Sequence, residues 1–354
     1  MNDAFYSLAS STWDDKELEA IQRVMESNKY TMGQYVQNFE KEFAQYFGSK
    51  YSIMVNSGSS ANLLAIASLF FREKDPIKEN DEVIVPAISW STTFFPLQQY
   101  GLKVKFVDVD LETLNFDLPK LSDSITEKTR IIFSVNLLGN PNDFSSIKEI
   151  ISDRNIILLE DNCESMGAKY KNQFAGTFGL IGTFSSYFSH HISTMEGGLL
   201  LTNNTELYHI LLSLRSHGWT RHLPKHNKVT GVKSDVDFEE SFKFVLPGYN
   251  LRPIEMMGSI GTVQLKKLPT FVHIRRKNAN YFNKKFGSLS NIIIQKELGE
   301  SSWFGFSIIL KENFPVNRET VIDILTKNNI ETRPIVSGNF QKNKSLKYFK
   351  INPS

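Results

Sequence analysis

The sequence predicts an α/β fold: a mixed, mostly parallel sheet flanked by helices, followed by a smaller α+β domain at the C-terminal end. Three observations carry this. Short β-rich runs alternate with helical stretches over the first two-thirds of the chain. Those runs are continuously apolar and β-branched, as strands buried on both faces are. Beyond residue 290 the grain changes to short strands around one helix.

The strands are expected at Glu82–Pro86, Val104–Val107, Arg130–Val135 and Asn155–Glu160. Helical patterning covers 60–72, 144–152, 205–216 and 253–285. Further strands are expected at Asn291–Ile294, Trp303–Leu310 and Thr332–Ile335, with a helix near 318–328. The helix at 253–285 bridges two parts, 1–250 as a large α/β domain and 251–354 as the smaller one. Residues 222–246 are polar, carry four lysines and read as a surface loop or lid. Sheets of this kind place their sites beyond the carboxyl ends of the strands.

Composition narrows the function. The 354 residues carry 40 basic and 38 acidic side chains, a net charge of +2, which asks for no nucleic-acid partner. The longest apolar run, Ala61–Phe71, is too short to span a bilayer. Met1-Asn2-Asp3-Ala4-Phe5 lacks the basic and apolar regions of a signal peptide. The one cysteine, Cys163, excludes an internal disulfide, a thiolate zinc cage and a four-cysteine iron–sulfur cluster within the chain. A soluble cytoplasmic enzyme with no membrane partner is the expectation.

Three segments carry chemistry. Val55-Asn56-Ser57-Gly58-Ser59-Ser60-Ala61-Asn62 opens a helix with small residues, whose N–H groups and dipole suit a phosphate. The same pattern also describes an ordinary serine N-cap. Leu159-Glu160-Asp161-Asn162-Cys163-Glu164 ends a buried strand with carboxylates. Asp161 would lie beneath a ligand held over the sheet, or would simply cap the next helix. The third segment, which reads as a functional loop, runs from Gly182 through Ser185 and Ser189-His190-His191 to Gly197-Gly198. Its paired histidines lack metal-ligand spacing, and adjacent side chains in an extended chain diverge, so a metal is disfavoured.

Taken together and in this order, the motifs resemble the DegT/DnrJ/EryC1/StrS aminotransferase family, the sugar-nucleotide branch of fold-type I pyridoxal-phosphate enzymes, from about Ser7 to the C-terminus. Ala87-Ile88-Ser89-Trp90-Ser91-Thr92-Thr93, Gly139-Asn140-Pro141-Asn142 and Leu246-Pro247-Gly248-Tyr249-Asn250-Leu251-Arg252-Pro253 extend the likeness. In ordinary members a lysine seven residues before the closing Gly-Gly forms the Schiff base. Here that position is His190, and no lysine occurs from 172 to 224.

Imidazole forms no stable Schiff base, but its ordinary pKa near 6.5 suits a base. The resemblance therefore implies pyridoxal 5′-phosphate, or its pyridoxamine form, held non-covalently and without an iron–sulfur cluster. It implies Gly58, Ser59 and Ser185 at the phosphate, Trp90 on the ring, Asp161 at the ring nitrogen and Glu164 near its edge. Asn250 is expected to reach the partner's site in a homodimer with shared active sites. His190 is the catalytic base. The implied reaction removes the C3 hydroxyl of GDP-4-keto-6-deoxymannose, with L-glutamate as amino donor, giving the 3,6-dideoxy sugar and ammonia on a route to GDP-colitose and O-antigen. A 4-aminotransferase of the perosamine type and a non-catalytic pyridoxal-phosphate binder are the alternatives. Arg215, His217, Trp219, Arg221, Arg252, Trp303 and Arg333 are available for a diphosphate or a carboxylate. Family members continue beyond the point reached at Ser354, so the smaller domain is expected to be incomplete.

Overall fold

The computed structural model describes residues 6–351, so the N-terminal pentapeptide and residues 352–354 lie outside the description. Helices α1 (Asp15–Ser27) and α2 (Gln34–Phe47) come first. The alternating segment follows as β1 (Tyr51–Val55), α3 (Gly58–Leu69), β2 (Glu82–Pro86), α4 (Ser91–Gln99), β3 (Lys103–Val107), α5 (Leu118–Ser124), β4 (Thr129–Val135), α6 (Phe144–Ile151) and β5 (Ile157–Asp161). A ribbon of β6 (Lys169–Tyr170) and β7 (Gln173–Phe174) leads to β8 (Ile181–Ser185), β9 (Gly198–Thr202) and α7 (Thr205–Arg215). A second ribbon, β10 (His226–Asn227) with β11 (Gly231–Val232), precedes the single turn α8 (Asp237–Glu240). The long helix α9 (Glu255–Phe286), the pair β12 (Ile292–Ile294) and β13 (Ile308–Leu310), α10 (Arg318–Lys327) and β14 (Lys350–Ile351) complete the chain.

Eight strands form one sheet in the order β1-β9-β8-β5-β4-β2-β3-β14. Only β9 runs against the rest, pairing antiparallel with both β1 and β8. The period of two sorts side chains to opposite faces. In β1, Ile53 and Val55 join the core beneath α3 and α7, while Met54 faces α2 and α9. Leu200 and its neighbours Leu199 and Leu201 divide the same way. Ile84, Ile132 and Leu158 meet Phe144 and Ile147 of α6. Phe43 is fully buried, packed edge-on to Phe184 at 5.3 Å. Burial of one such ring stabilises the fold by about 1.5–3 kcal/mol.

Helix starts follow local chemistry. Asp14 and Glu17 form a capping box on α1, and Ser57, Asp117, Asp143, Asn204 and Asn317 cap α3, α5, α6, α7 and α10.

Three expectations change. Residues 303–307 are not a strand, because Trp303 adopts φ +50° and the N–H groups of Ser302 and Phe304 go to the carbonyls of Gly139 and Leu138 (both 2.9 Å). Residues 332–335 are not a strand either; Pro334 has no N–H to give a ladder. The stretch 182–198 is a loop only between Ser186 and Gly197, its first residues forming β8. Beyond residue 250, two parts pack on the large sheet. Gly258 and Gly261 of α9 let that helix close on Val36 and Phe39. Phe340 is buried against Phe94 at 4.3 Å, and β14 adds to the sheet edge beside β3. No helix among the described residues is long and apolar enough to cross a membrane.

Candidate active site

Strands β1, β2, β4, β5 and β8 end at one edge of the sheet, and the residues that follow them meet there. Ser57 caps α3 by accepting the Ser60 N–H (3.1 Å), and its carbonyl takes the Ala61 N–H (3.1 Å). The earlier N–H groups, of Gly58 and Ser59, are left to face outward from the helix start. A Cβ on Gly58 would lie 2.6 Å from the Ser185 Cβ and 3.0 Å from the Cys163 sulfur. A Cβ on Gly198 would lie 2.2 Å from the Ser57 carbonyl oxygen. Glycine at both positions is therefore a packing requirement, and it draws three distant segments into one cradle. Ser185 is buried in it, and Ser59 is exposed.

Asp161 forms the floor. Its Oδ2 accepts from the Asn62 side-chain amide (2.8 Å) and the Thr93 hydroxyl (2.7 Å), and its Oδ1 accepts from the Cys163 N–H (3.0 Å). Glu160 turns to the other face and accepts N–H groups from Gly176 and Phe178 (both 2.6 Å) and Gly179 (2.7 Å). Burial holds it up at about 7. The acidic pair therefore splits into one carboxylate that faces the site and one that braces the loop at 176–179. Burial also raises Glu164 to about 7, helped by the Asp161 charge and opposed by the Leu138 N–H bond (3.0 Å) and Arg333. The Cys163 thiol is pushed up by burial and by Asp161, which makes it a poor thiolate.

Trp90 precedes α4 and is 60% exposed, with its carbonyl accepting the Thr93 N–H (3.1 Å). Its indole has no ring partner among the described residues, so a flat aromatic face stands open beside Asp161's own support, Thr93.

The loop that holds His190 is closed by Ser186, whose N–H goes to the Gly197 carbonyl (2.9 Å) and whose hydroxyl meets that of Thr194 (2.6 Å). His190 stands between the rings of Tyr187 (5.9 Å, 85°) and Phe304 (5.1 Å, 79°). Its Nδ1 is buried without a hydrogen-bond partner. Burial pushes the imidazole down to about 4, against the upward pull of the Cys163 and Ser185 backbones and Asp161. The ordinary value expected from sequence does not hold here, because the ring is desolvated. His191 diverges as adjacent residues do: it is buried, with Nε2 3.1 Å from the Ser302 carbonyl. Among the described residues no cluster of metal-ligating side chains occurs.

Asn250 is exposed and makes no side-chain hydrogen bond to this cluster. Its Oδ1 accepts from Arg252 Nε (3.0 Å), and the next carbonyl, of Leu251, takes the Asn56 N–H (3.0 Å). Arg215 is not free for an anion: it is 3% exposed, paired with Glu40 and bonded to the Met54 carbonyl (2.6 Å). Arg221 and Arg252 lie over the Trp219 ring, at 4.4 and 5.8 Å, and Trp303 is buried. Sequence reasoning passed over Asn62, Thr93, Phe304 and Arg275. Asn62 and Thr93 lie inside motifs that were singled out, but only the fold turns them toward Asp161.

The sequence model of the DegT/DnrJ/EryC1/StrS aminotransferase family matches residues 11–349. The chain is 63% identical over 345 residues to the GDP-4-keto-6-deoxy-D-mannose 3-dehydratase of Yersinia pseudotuberculosis, covering 97% of this chain and 88% of that protein. It superposes on the Escherichia coli enzyme of that name with bound hydrated pyridoxal phosphate, with a TM-score of 0.97 and 61% identity, covering 99% of this chain and 90% of the other. A structure of GDP-4-keto-6-deoxymannose-3-dehydratase with a trapped pyridoxal phosphate–glutamate geminal diamine gives the same TM-score and identity, covering 98% and 90%.

Proposed function

The chain belongs to the DegT/DnrJ/EryC1/StrS aminotransferase family, and from that premise we propose that it is a pyridoxal-phosphate-dependent dehydratase in which His190 replaces the usual lysine. It removes the C3 hydroxyl of GDP-4-keto-6-deoxymannose, oxidising L-glutamate to 2-oxoglutarate and releasing GDP-4-keto-3,6-dideoxymannose and ammonia. The observation that carries the reading is the His190 imidazole. It is desolvated, its Nδ1 is unpartnered, and it shares the Asp161 cluster with no lysine anywhere from 172 to 224.

The residues fit the cofactor. A cradle that only glycine permits suits a phosphate, an open indole suits a flat ring, and a buried carboxylate suits a ring nitrogen. Gly58 and Ser59 bind the phosphate through their N–H groups and Ser185 through its hydroxyl. Trp90 stacks on the ring. Asp161 accepts the ring N–H through a carboxylate oriented by Asn62 and Thr93. Glu164, protonated below about 7, supplies a donor near the ring edge.

When bound, the cofactor is the electron sink and carries nitrogen from glutamate to the sugar. His190 remains neutral at physiological pH, so it enters as a base. With the cofactor bound, it would take the C4′ proton, become imidazolium beside Asp161, and return that proton to the C3 oxygen. The C3–O bond breaks and water leaves. Lacking an ε-amine, the site has nothing to anchor the cofactor covalently, which favours elimination over amine transfer.

We also read Asn250 as reaching the partner's phosphate in a homodimer; its exposure and its single side-chain bond, to Arg252, support this. The same reading divides the chain into 1–250 as the cofactor-binding unit and 251–354 as the smaller one, although Phe340 and β14 pack into the core and sheet of the first. A cytoplasmic location belongs to the same reading, since glutamate and nucleotide sugars are its reactants.

The test is product mass after incubation with pyridoxal phosphate, L-glutamate and GDP-4-keto-6-deoxymannose. Loss of the C3 oxygen with ammonia released is expected. A product that gains nitrogen and keeps that oxygen would establish an aminotransferase instead.

A further inference from the structure

A strap of four residues, Ser301–Phe304, crosses the site from the C-terminal part of the chain. It is held on both sides. The Ser302 and Phe304 N–H groups go to Gly139 and Leu138, and the Ser301 hydroxyl goes to the Gly139 carbonyl (2.9 Å). From α9, Arg275 Nη1 donates to the carbonyls of Trp303 (3.0 Å) and Phe304 (3.1 Å). Arg276 Nη1 donates to the Ser301 carbonyl (2.8 Å) and to Glu297 (2.8 Å). The strap is strained where it crosses. Trp303 has φ +50°, unfavourable for a bulky side chain. A Cβ on Gly139, itself at φ +93°, would lie 2.4 Å from the Trp303 nitrogen.

The strap touches both histidines. The Ser302 carbonyl meets His191 Nε2, and the Phe304 ring stands edge-on to His190. A catalytic imidazole is ordinarily oriented by the hydrogen bond of its second nitrogen. His190 Nδ1 has none; beyond the pull of the Cys163 and Ser185 backbones, the contacts that flank its ring are the aromatic walls, Tyr187 and Phe304. Tyr187 is exposed and belongs to the same loop as His190, so it moves with it. Phe304 is the wall supplied from outside, and its backbone is pinned by Arg275.

We propose that Arg275 is a positioning residue for His190: by clamping the Trp303 and Phe304 carbonyls it seats the Phe304 ring that fixes the imidazole. The proposal rests on reading His190 as the base. The charged or titratable groups around that ring are Asp161 and Cys163 at the end of β5, Arg275 on α9, and Tyr187 and His191 in its own loop. The Arg275 charge also opposes protonation of both histidines.

The experiment compares wild type with Arg275→Met, Arg275→Lys and Phe304→Leu, all loaded with pyridoxal phosphate. Each is measured for kcat, KM for the nucleotide sugar, and the NMR titration midpoint of a labelled His190, assigned by its loss in His190→Asn. Arg275→Met is expected to lower kcat at least tenfold, keep KM within about twofold, and raise the midpoint. Arg275→Lys restores charge but not reach, so its midpoint returns toward wild type while kcat stays low. Phe304→Leu lowers kcat with Arg275 intact. Wild-type kcat in both Arg275→Met and Phe304→Leu overturns the proposal; if Arg275→Met does not fold, wild-type kcat in Phe304→Leu alone does so. If the wild-type protein makes no dideoxy sugar, the base reading falls, and the NMR arm decides by itself. An unchanged His190 signal and midpoint in the variants then overturns the clamp, and a shift supports it.

Discussion

The Thr93 hydroxyl donates to Asp161 Oδ2 at 2.7 Å, across 68 residues of chain. Its single proton is committed to the carboxylate, so it accepts from Ser89 (2.7 Å) behind it. With the Asn62 amide on the same oxygen, Asp161 is held in one orientation at the floor of the cluster. Thr93→Val breaks this relay while nearly conserving shape. Hydrogen bonds to charged groups contribute about 1.5–3 kcal/mol, so kcat is expected to fall roughly tenfold to a hundredfold, with Thr93→Ser near wild type. Steady-state kinetics at saturating cofactor checks this; equal rates in Thr93→Val would remove Thr93 from the site.

Trp90 separates binding from folding. Its indole is largely exposed and unpaired, so Trp90→Ala should alter unfolding free energy by no more than about 0.5 kcal/mol. Loss of a stacked ring should weaken pyridoxal phosphate binding by about 1 kcal/mol, or fivefold or so in Kd. Trp90→Phe should lie between. Paired denaturation and cofactor titrations test both halves, and unaltered affinity in Trp90→Ala would exclude stacking.

His190 leaves a signature in stability against pH. Folded, it takes its proton near 4; unfolded, near 6.5. Between those values the unfolded chain holds a proton that the folded one lacks, so the contribution is lost as pH falls below about 6.5. From pH 6.5 to 5 this amounts to at most about 2 kcal/mol. Urea titrations should show wild type losing more stability over that interval than His190→Asn. Parallel losses would mean that the imidazole is solvated.

Arg215 is expected to act in folding rather than in substrate binding. Arg215→Met strands the Glu40 carboxylate in the core and should cost about 3–5 kcal/mol, with much of it recovered when Glu40→Met is added. A stable Arg215→Met protein with a raised KM for the nucleotide sugar would reverse that assignment.

Much of the scaffold is legible locally. Residues 82–86 and the helices at 144–151, 205–215 and 318–327 lie within a residue or two of where periodicity and caps put them. That residues 303–307 and 332–335 are not strands is not legible locally, because apolar content near Trp303 and Ile335 does not reveal a left-handed residue or a missing proline N–H. The paired histidines could be singled out from sequence, but not told apart in environment: each has an unpartnered Nδ1, but His191 is held through Nε2 on the Ser302 carbonyl, while His190 lies by Asp161 and between the rings of Tyr187 and Phe304.

By itself the sequence determined the alternating α/β pattern, the small-residue helix start at Ser57–Ser59, the carboxylates that end β5, and histidine in place of lysine at position 190. These are matters of residue type and spacing, which local backbone geometry converts directly into strands, turns and helix starts. Only the tertiary structure decided which carboxylate faces the site, that Asn62 and Thr93 meet on Asp161, that Arg215 is spent on Glu40, and that Arg275 holds Phe304 against His190. The physical reason is one of direction. Such contacts depend on where side chains point once parallel strands bring remote segments to one edge, and on which polar atoms burial then leaves without water.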